Sequence, residues 1–434
     1  MSLPRKFFKF VLPSIASMWI FSLYSMVDGM FVSHGVGEHA LAAVNLSIPY
    51  VNLIFAVGLL FAVGTSTLIS ISLGMGRREE ACLCFNQNLV VVSILCFLLS
   101  GITLFALEPI ARFLGGGQDT LGFVKQYIGT IAPFAVFFAV SYNLEVQVKS
   151  DGAPHVSTIG VCSCALMNVL LDYVFVMRLH WGVWGAALAT GLAQVTSTFI
   201  FVFYFLFRNK RLCFGFFGWN PGIYRRIIPL GLSEGLTELS NGLVIFAFNL
   251  AIIRVLGEDT VTSYTVISYV NTLVLMTMSG ISQGIQPLVS FHLGASEEGT
   301  CLRLLRYGLT AAAAFSLVLF GLSELFSSHI VALFLERSSD LFDYTVHALR
   351  LFALSFLMIG FNVVMAGYFT AIELPAYAFP ISVGRSFVLL LLSLAITSLL
   401  FGGNALWLST LLSESLCLLL TVFFALRYRA GLSS

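Results

Sequence analysis

The sequence predicts an all-α integral membrane protein with twelve transmembrane helices, arranged as two pseudo-symmetric bundles of six. Hydrophobic residues make up 58% of the 434 positions and charged residues only 10%. The mean hydropathy is +0.95, and no soluble core could bury this much apolar surface. Apolar stretches recur along the chain at the length of about 20 residues that a helix needs to cross the hydrocarbon layer.

The balance of charges excludes a nucleic-acid partner. Lysine and arginine together number 22, aspartate and glutamate 21, and the net charge is +1. A chain with so little excess charge has no bulk attraction for a polyanion. The lipid bilayer is therefore the large partner that the composition predicts.

The eight cysteines indicate neither a disulfide framework nor a metal site. They lie in apolar runs or in loops assigned below to the cytoplasm, where thiols stay reduced. Cys82 and Cys84 are one residue too close for the C-x-x-C spacing of zinc sites, and no second pair follows in a soluble loop. We expect no structural metal and no cofactor.

Each predicted span is an apolar window bounded by polar or turn-forming residues. In the first half the windows lie near 10–32, 44–72, 87–107, 125–148, 155–177 and 183–207. In the second half they lie near 227–253, 261–291, 307–327, 345–370, 376–400 and 404–426. The chain then divides into a first half, residues 1–210, a cytoplasmic linker, residues 211–226, and a second half, residues 227–434.

The first window follows three basic residues, Arg5, Lys6 and Lys9, as the apolar region of a signal peptide does. The window is long, however, and has no small-residue cleavage site. We therefore retain it as the first span.

Lysine and arginine residues segregate between the two sides of this layout. Fifteen lie on the side that holds both termini and the linker, and five lie on the other side. Because cytoplasmic loops are enriched in these residues, both termini are expected in the cytoplasm. Lys149 is counted with the cytoplasmic set, whereas Arg350 and Arg385 fall inside spans.

Short segments of the first half recur in the second half about 220 residues later. The pairs are Gly37-Glu38 with Gly257-Glu258, Ile48 to Asn52 with Ile267 to Asn271, and Leu73-Gly74 with Leu293-Gly294. Each half has an even number of spans, so the two repeats share one orientation. This arrangement is typical of transporters that rock two bundles around a central site.

Carboxylates inside or near the spans need a partner, a cavity or a function, because a charge in the bilayer costs a few kcal/mol or more. The set is Asp28, Glu145, Asp172, Glu234, Glu238, Glu324 and Glu414. Glu145 and Glu324 lie near helix ends, where we expect them to reach water or cap the helix. Glu414 lies in the middle of the last span, and the sequence assigns it no role.

Asp28 and Asp172 lie at matching depth. At about 1.5 Å per residue, each is roughly 26 Å from the cytoplasmic end of its span. Tyr24 precedes Asp28 by four residues and Asn168 precedes Asp172 by four, so each carboxyl shares a helix face with a hydrogen-bonding side chain. The sequence predicts that the two acids meet.

Span six contributes Thr190 and Gln194, again four residues apart, at a comparable depth. Two interpretations of the resulting cluster stay open at this point. It is either a static set of interhelical hydrogen bonds, or a site that takes up and releases a small cation.

Glu234 and Glu238 share one face early in span seven, and Asn241 follows a turn later. Two like charges so close repel, so at least one is neutral or faces a water-filled cavity. Contact with a substrate or cation is one interpretation, and solvation of the inner helix end is the other.

The patterns typical of enzymes are weak. Residues 231–235 match G-x-S-x-G, but they lie in an apolar helix rather than on a strand-to-helix turn, so the match is fortuitous. No phosphate-binding G-x-x-x-x-G-K-[ST] occurs, and no loop is long enough for a nucleotide-binding domain. If the protein transports, the energy must come from an ion gradient.

Three segments resemble the multidrug and toxic compound extrusion (MATE) transporters. The first runs from Asp28-Gly29 through Gly37-Glu38-His39-Ala40-Leu41-Ala42-Ala43, and the second is Gly182-Val183-Trp184-Gly185-Ala186-Ala187-Leu188-Ala189-Thr190. The third is Gln283-Gly284-Ile285-Gln286-Pro287, followed by Leu293-Gly294-Ala295. Weaker similarity to the same family extends over nearly the whole chain.

The resemblance implies a V-shaped pair of six-helix lobes that exports cationic or amphipathic compounds, with a monomer sufficient for function. It further implies a cation site in the first lobe, to which Tyr24, Asp28, Asn168, Asp172 and Thr190 correspond. These are the residues that depth and spacing select.

Of two other features of the family, this sequence matches one and departs from the other. The helix-one proline corresponds to Pro13, a predicted bend point. Some members place coupling acids on helices seven and ten, but Glu238 matches only with a shift of one residue. Span ten holds no acid, and Asn362 is its most polar candidate.

We therefore predict a drug/H⁺ or drug/Na⁺ antiporter in the inner membrane of a bacterium. Neutralisation of Asp28 or Asp172 by the cation would change the packing of span one and favour drug release outward. The candidate substrate contacts are Gln194, Glu234, Glu238, Asn241 and Gln283.

Two alternatives remain open. A lipid-linked oligosaccharide flippase of the same superfamily would carry several cationic residues along its cavity, whereas only Arg350 and Arg385 lie within spans. An intramembrane enzyme with Asp28 and Asp172 as an acid pair would leave the like-oriented repeats unexplained.

Overall fold

The predicted fold class is confirmed by a computed structural model, which describes residues 2–117 and 119–432. Over these residues the chain is helical and contains no strand. Eleven helices are long and apolar enough to cross a membrane, and a bent pair of helices completes a twelfth span. Each predicted apolar window coincides with one of these elements.

The first half contains six membrane helices and one short surface helix, Leu107–Phe113. The six are α1, Leu3–Gly35; α2, Glu38–Gly74; α3, Arg78–Phe105; α4, Leu121–Ser150; α5, Pro154–Arg178; and α6, Gly182–Phe207. Within α4, residues Ala132–Phe134 form a single 3₁₀ turn.

The second half repeats this plan, again with one short helix, Ser327–Val331. Its spans are α7, Pro221–Val255; α8, Glu258–Gly294; α9, Glu298–Leu325; α10, Leu341–Ala353 with Phe356–Ala371; α11, Pro375–Phe401; and α12, Gly403–Ala430. Most helices run several residues past their apolar windows, because polar residues continue the helix into the interface.

The tenth span departs from the sequence prediction, which treated residues 345–370 as one continuous helix. The two parts of α10 meet at Leu354 and Ser355 and are bent by 41°. No glycine or proline lies at the break. The Ser355 hydroxyl donates to the Phe352 carbonyl (2.7 Å), and a side chain that competes for backbone carbonyls in this way is a known cause of kinks.

Two spans contain π-helical segments, in which each backbone N–H bonds to the carbonyl five residues back and the helix is wider than an α-helix. One, Tyr173–Arg178, completes α5 directly after Asp172. Another, Gly384–Val388, lies in α11 and contains Arg385. Such segments are rare and often lie at functional sites, because they turn one side chain away from its α-helical direction.

The apolar core is continuous across the two halves at the beginning of α1. Phe7, Phe10, Val11 and Ile15 are buried in the same cluster as residues of α8, α9 and α10. The other buried apolar residues of the first half form two separate clusters. The first part of α1 therefore packs against the second half, and this contact extends to Trp19, whose indole N–H donates to the Thr277 hydroxyl of α8 (2.9 Å).

The closest approach between the halves lies on the side of the membrane where α1 begins and α12 ends, the terminal side. A Cβ atom at Gly231 of α7 would overlap the carbonyl of Leu60 in α2, and one at Gly74 would overlap the carbonyl of Phe291 in α8. Helix backbones can approach this closely only without side chains between them. The halves are thus in contact on the terminal side.

Candidate functional site

The carboxyl groups of Asp28 in α1 and Asp172 in α5 lie within electrostatic range of each other. Asp172 is fully buried, and no donor among the described residues satisfies either of its oxygens. The predicted meeting of the two acids is therefore present in the structure.

Thr190 and Asn168 complete the cluster. The Asn168 amide nitrogen donates to the Thr190 hydroxyl (3.4 Å), which lies 3.5 Å from Asp28 Oδ1. The Asn168 amide oxygen has no partner. Carboxylate, amide and hydroxyl oxygens are the ligands of hard cations, so this oxygen-rich group suits Na⁺ or a proton. No cluster of three histidine, cysteine or acidic residues that could hold a metal occurs within the described chain.

Two tyrosines border the cluster. Tyr24 is buried one turn before Asp28, as its spacing predicted, and lies within electrostatic range of that carboxyl. Tyr127 of α4 is also buried and lies within range of both acids. No sequence pattern marks Tyr127, because it lies close to the start of its apolar window and nothing in the sequence shows that it faces α1 and α5.

Pro13 lies inside α1, which continues through it without a break. Proline lacks the N–H that would bond one turn back, but its own carbonyl accepts hydrogen bonds from Ser17 (2.9 Å) and from Thr158 of α5 (3.0 Å). The hydroxyl of Thr158 thus joins α5 to the predicted bend point. The bend itself stays a prediction.

A small cavity of about 30 Å³ lies in the first half beside the acid cluster. Its wall includes Phe21, Tyr24, Phe55, Tyr142, Glu145 and Gln194. Aromatic rings dominate, and one carboxylate faces the space. Gln194, a predicted substrate contact, therefore lines a cavity that adjoins the predicted cation site.

Tyr142 lies where the remaining candidate substrate residues converge. Its hydroxyl accepts a hydrogen bond from Gln283 of α8 (3.3 Å), and it lies within electrostatic range of Glu234 and Glu238 of α7. The two glutamates are half-buried, whereas Asn241 is exposed and donates to Glu238 (3.4 Å). The acids of α7 thus approach the aromatic wall of the first half.

A family model described as MatE matches residues 13–174 and 235–397. The chain belongs to the MatE family. The two matched ranges cover five spans of each half, so the family model recognises both copies of the repeat that the sequence contains.

Two relatives of this MatE chain are both named Multidrug export protein MepA. The protein of Staphylococcus haemolyticus is 24% identical and covers 97% of this chain and 93% of its own length. The protein of Staphylococcus saprophyticus is 27% identical over 66% of this chain, and that alignment spans 64% of the relative's length.

The fold of the MatE chain is shared with solved structures. One, described as the outward-facing conformation of a multidrug resistance MATE family transporter of the MOP superfamily, superimposes with a TM-score of 0.92. The identity is 20%, and the match covers 100% of this chain and 98% of the other. The likeness establishes the architecture of the two bundles.

The expectation that Glu145 of this MatE chain reaches water at a helix end is wrong. Its carboxylate is 7% exposed and lies 3.0 Å from Lys149 Nζ, whose side chain is 2% exposed. Lys149 therefore lies buried within α4 and not in a cytoplasmic loop, where the count of basic residues had placed it. The glutamate-to-lysine spacing of four residues, which favours ion pairs on a helix, is the signal that could have revealed the pair.

Glu414, which had no predicted role, also forms a buried ion pair. Arg385 of α11 lies 2.8 Å from the Glu414 carboxylate in α12. The Asn362 amide donates to the same carboxylate (2.8 Å) and accepts from Thr421 (2.9 Å). Asn362, the polar candidate of span ten, is thus part of a network in which Arg385 already neutralises the charge of Glu414.

Proposed function

We propose that this MatE chain is a secondary active exporter of cationic or amphipathic compounds, driven by antiport of H⁺ or Na⁺. The observation that carries the proposal is the pair Asp28 and Asp172, two acids that have no basic partner among the described residues and lie beside an aromatic cavity. The names of the MepA relatives support a drug as the cargo.

The acid pair supplies the coupling. Uptake of one cation removes a net charge from a buried site, where an unpaired carboxylate is costly. The neutral cluster then permits a different packing of α1 around Pro13 and favours release of the drug. Each cation that moves inward down 100 mV provides about 2.3 kcal/mol, equivalent to roughly fifty-fold in the concentration of an uncharged drug. Outward movement of a monocationic drug costs the same amount, so export of such a drug is driven by the concentration gradient of the coupling cation.

The cavity supplies the selectivity. Flat aromatic rings attract cations through their negative faces and accommodate apolar groups of many shapes. Glu145, Glu234 and Glu238 provide carboxylates around Tyr142. This combination suits bulky monocations better than small polar solutes.

The same proposal includes the orientation of the protein in the membrane. With both termini in the cytoplasm of a bacterium, as the distribution of basic residues indicates, the terminal side is the cytoplasmic face of the inner membrane. The contact of the halves there then corresponds to a state closed toward the cytoplasm. A monomer suffices, because the acid cluster and the cavity are built by one chain.

The structure offers no observation in favour of the flippase alternative. Both arginines within spans have acidic neighbours: Arg385 pairs with Glu414, and Arg350 lies 3.8 Å from Glu324. The buried Arg385 is therefore already neutralised within the protein.

The experiment is dye transport in inverted membrane vesicles, with a pH gradient and a sodium gradient imposed separately. The proposal predicts that at least one gradient accelerates accumulation of a monocationic dye, and that an ionophore for that cation abolishes it. Equal accumulation with and without both gradients would refute antiport.

A further inference from the structure

The ion pair of Glu145 and Lys149 separates two cavities. Glu145 lines the aromatic cavity of the first half, together with Tyr24 and Tyr142. Lys149 lines a second, smaller cavity of about 10 Å³, whose wall includes Gln283 and Pro287 of α8. The pair therefore lies between the space beside the acid cluster and the contact between the halves.

Lys149 is held in place by both halves. Its Nζ lies 3.0 Å from Glu145 and donates to the Gln283 side-chain oxygen (3.2 Å). The Glu145 carboxylate also accepts from the hydroxyl of Ser157 (2.8 Å). Because Gln283 belongs to α8, this arrangement of Lys149 exists only while the halves are in contact on the terminal side.

Separation of the halves on that side would change the surroundings of the two charges unequally. Lys149 would lose Gln283 and gain water from the opening cleft, where an ammonium group is well solvated. Glu145 would remain on the wall of the aromatic cavity. A carboxylate that loses its cation in such a place carries a large desolvation cost until another cation replaces it.

We propose that Lys149 is an internal competitor of the cationic substrate for the Glu145 carboxylate, an inference that rests on the proposed export of cationic compounds. When the terminal side is open, the substrate pairs with Glu145 among the rings of Phe21, Phe55 and Tyr142. When that side closes, Lys149 returns to Glu145 and displaces the substrate cation toward the opposite side.

The competition links closure to release. Substrate and Lys149 cannot both neutralise one carboxylate, so tight substrate binding favours the open terminal side and closure weakens binding. By linkage, the free energy by which substrate binding favours the open state equals the free energy of binding that is lost on closure. Only the charge of the substrate takes part, and therefore an uncharged compound that fills the same cavity escapes the competition.

The test measures binding of two dyes to the purified full-length protein in detergent: rhodamine 6G, a monocation, and Nile red, which is uncharged. For Lys149→Met we expect rhodamine 6G to bind about tenfold more tightly, within the range typical of coupled sites, with Nile red unchanged. Export of rhodamine 6G by vesicles should fall at least about tenfold, because the bound dye is no longer displaced.

Three further variants make the result specific. Lys149→Arg restores the cation and should recover most of the export. The double variant Glu145→Gln with Lys149→Met removes both charges and so avoids an unpaired buried ion. Its affinity for the two dyes should not depend on the charge of the dye. Lys125→Met, which removes an exposed ion pair with Glu108 at the other end of α4, is the matched control and should bind both dyes as the wild type does.

The outcomes separate this inference from the proposed function. If the wild type exports rhodamine 6G and Lys149→Met binds and exports it equally well, competition by Lys149 is refuted. If Lys149→Met weakens both dyes alike and the double variant behaves as the wild type does, the pair is only structural. A wild type that neither binds nor exports either dye would instead refute the proposed function.

Discussion

Asp28 of α1 and Asp172 of α5 face each other inside the first half, and no basic side chain among the described residues forms an ion pair with either. The buried carboxylates Glu145 and Glu414 each have a cation within the protein, Lys149 and Arg385. The acid cluster therefore differs from these two carboxylates in having no cationic partner among the described residues.

Replacement of Asp28 by asparagine should abolish dye export while the amount of protein in the membrane stays normal. The substitution keeps the size and hydrogen-bonding capacity of the side chain but removes the charge that a cation neutralises. Asp172→Asn should have the same effect. Export is measured in vesicles matched for protein content.

The matched control for these variants is Asp259→Asn, in the exposed 3₁₀ turn that begins α8. It should export at the wild-type rate. Normal export by Asp28→Asn would remove Asp28 from the mechanism.

Replacement of Arg385 by methionine should destabilise the protein by about 3–5 kcal/mol, because the buried carboxylate of Glu414 would lose the cation it pairs with. The double variant Arg385→Met with Glu414→Leu should recover most of this loss, since an apolar pair of similar volume avoids the desolvation of two ions. Thermal unfolding in detergent measures both. A single variant as stable as the wild type would mean that water reaches Glu414.

Replacement of Gly231 by alanine should prevent full contact of the halves on the terminal side. The new methyl group would overlap the Leu60 carbonyl, which belongs to a backbone that cannot move independently. We expect export to fall at least about tenfold, as for loss of roughly 1.4 kcal/mol from one conformation.

Gly321→Ala is the control for this substitution. Gly321 is also helical, but a Cβ there meets nothing within 4 Å, so export should be unchanged. Equal activity of the two variants would show that the contact between α2 and α7 is not required.

The exposed ion-pair network of Glu108 predicts a pH dependence. Hydrogen bonds and charges of Lys125 and Arg112 lower the pKa of Glu108 from 4.5 to about 2. A carboxylate with a depressed pKa contributes stability above its unfolded pKa, and the contribution is lost as the pH falls through the folded value.

The difference in melting temperature between the wild type and Glu108→Gln should therefore be constant from pH 7 to pH 5 and vanish toward pH 2. High salt should reduce it at every pH, because the network is exposed. A difference that disappears already near pH 4.5 would contradict the lowered pKa.

The positions of the spans and of the acid cluster could be predicted from the sequence because both depend on local rules. Apolarity over about 20 residues determines where a helix crosses the bilayer, and residues four apart share a helix face. Counting along two helices was therefore enough to bring Asp28 and Asp172 to the same depth.

The buried ion pairs could not be predicted in the same way. Burial of Lys149 depends on α8 from the other half, and that of Glu414 depends on Arg385, which the π-helical segment of α11 carries. The bend in α10 arises at Ser355, without a glycine or proline to mark it. Each of these features is decided by packing between segments that lie far apart in sequence.

The most direct test of the central claim is cation release on drug binding. Purified protein loaded with the coupling cation in a weak buffer is mixed with rhodamine 6G, and free H⁺ or Na⁺ is recorded. The account predicts that the wild type releases about one cation per bound dye and that Asp28→Asn and Asp172→Asn release none. Dye binding by the wild type without release, or equal release by these variants, would contradict it.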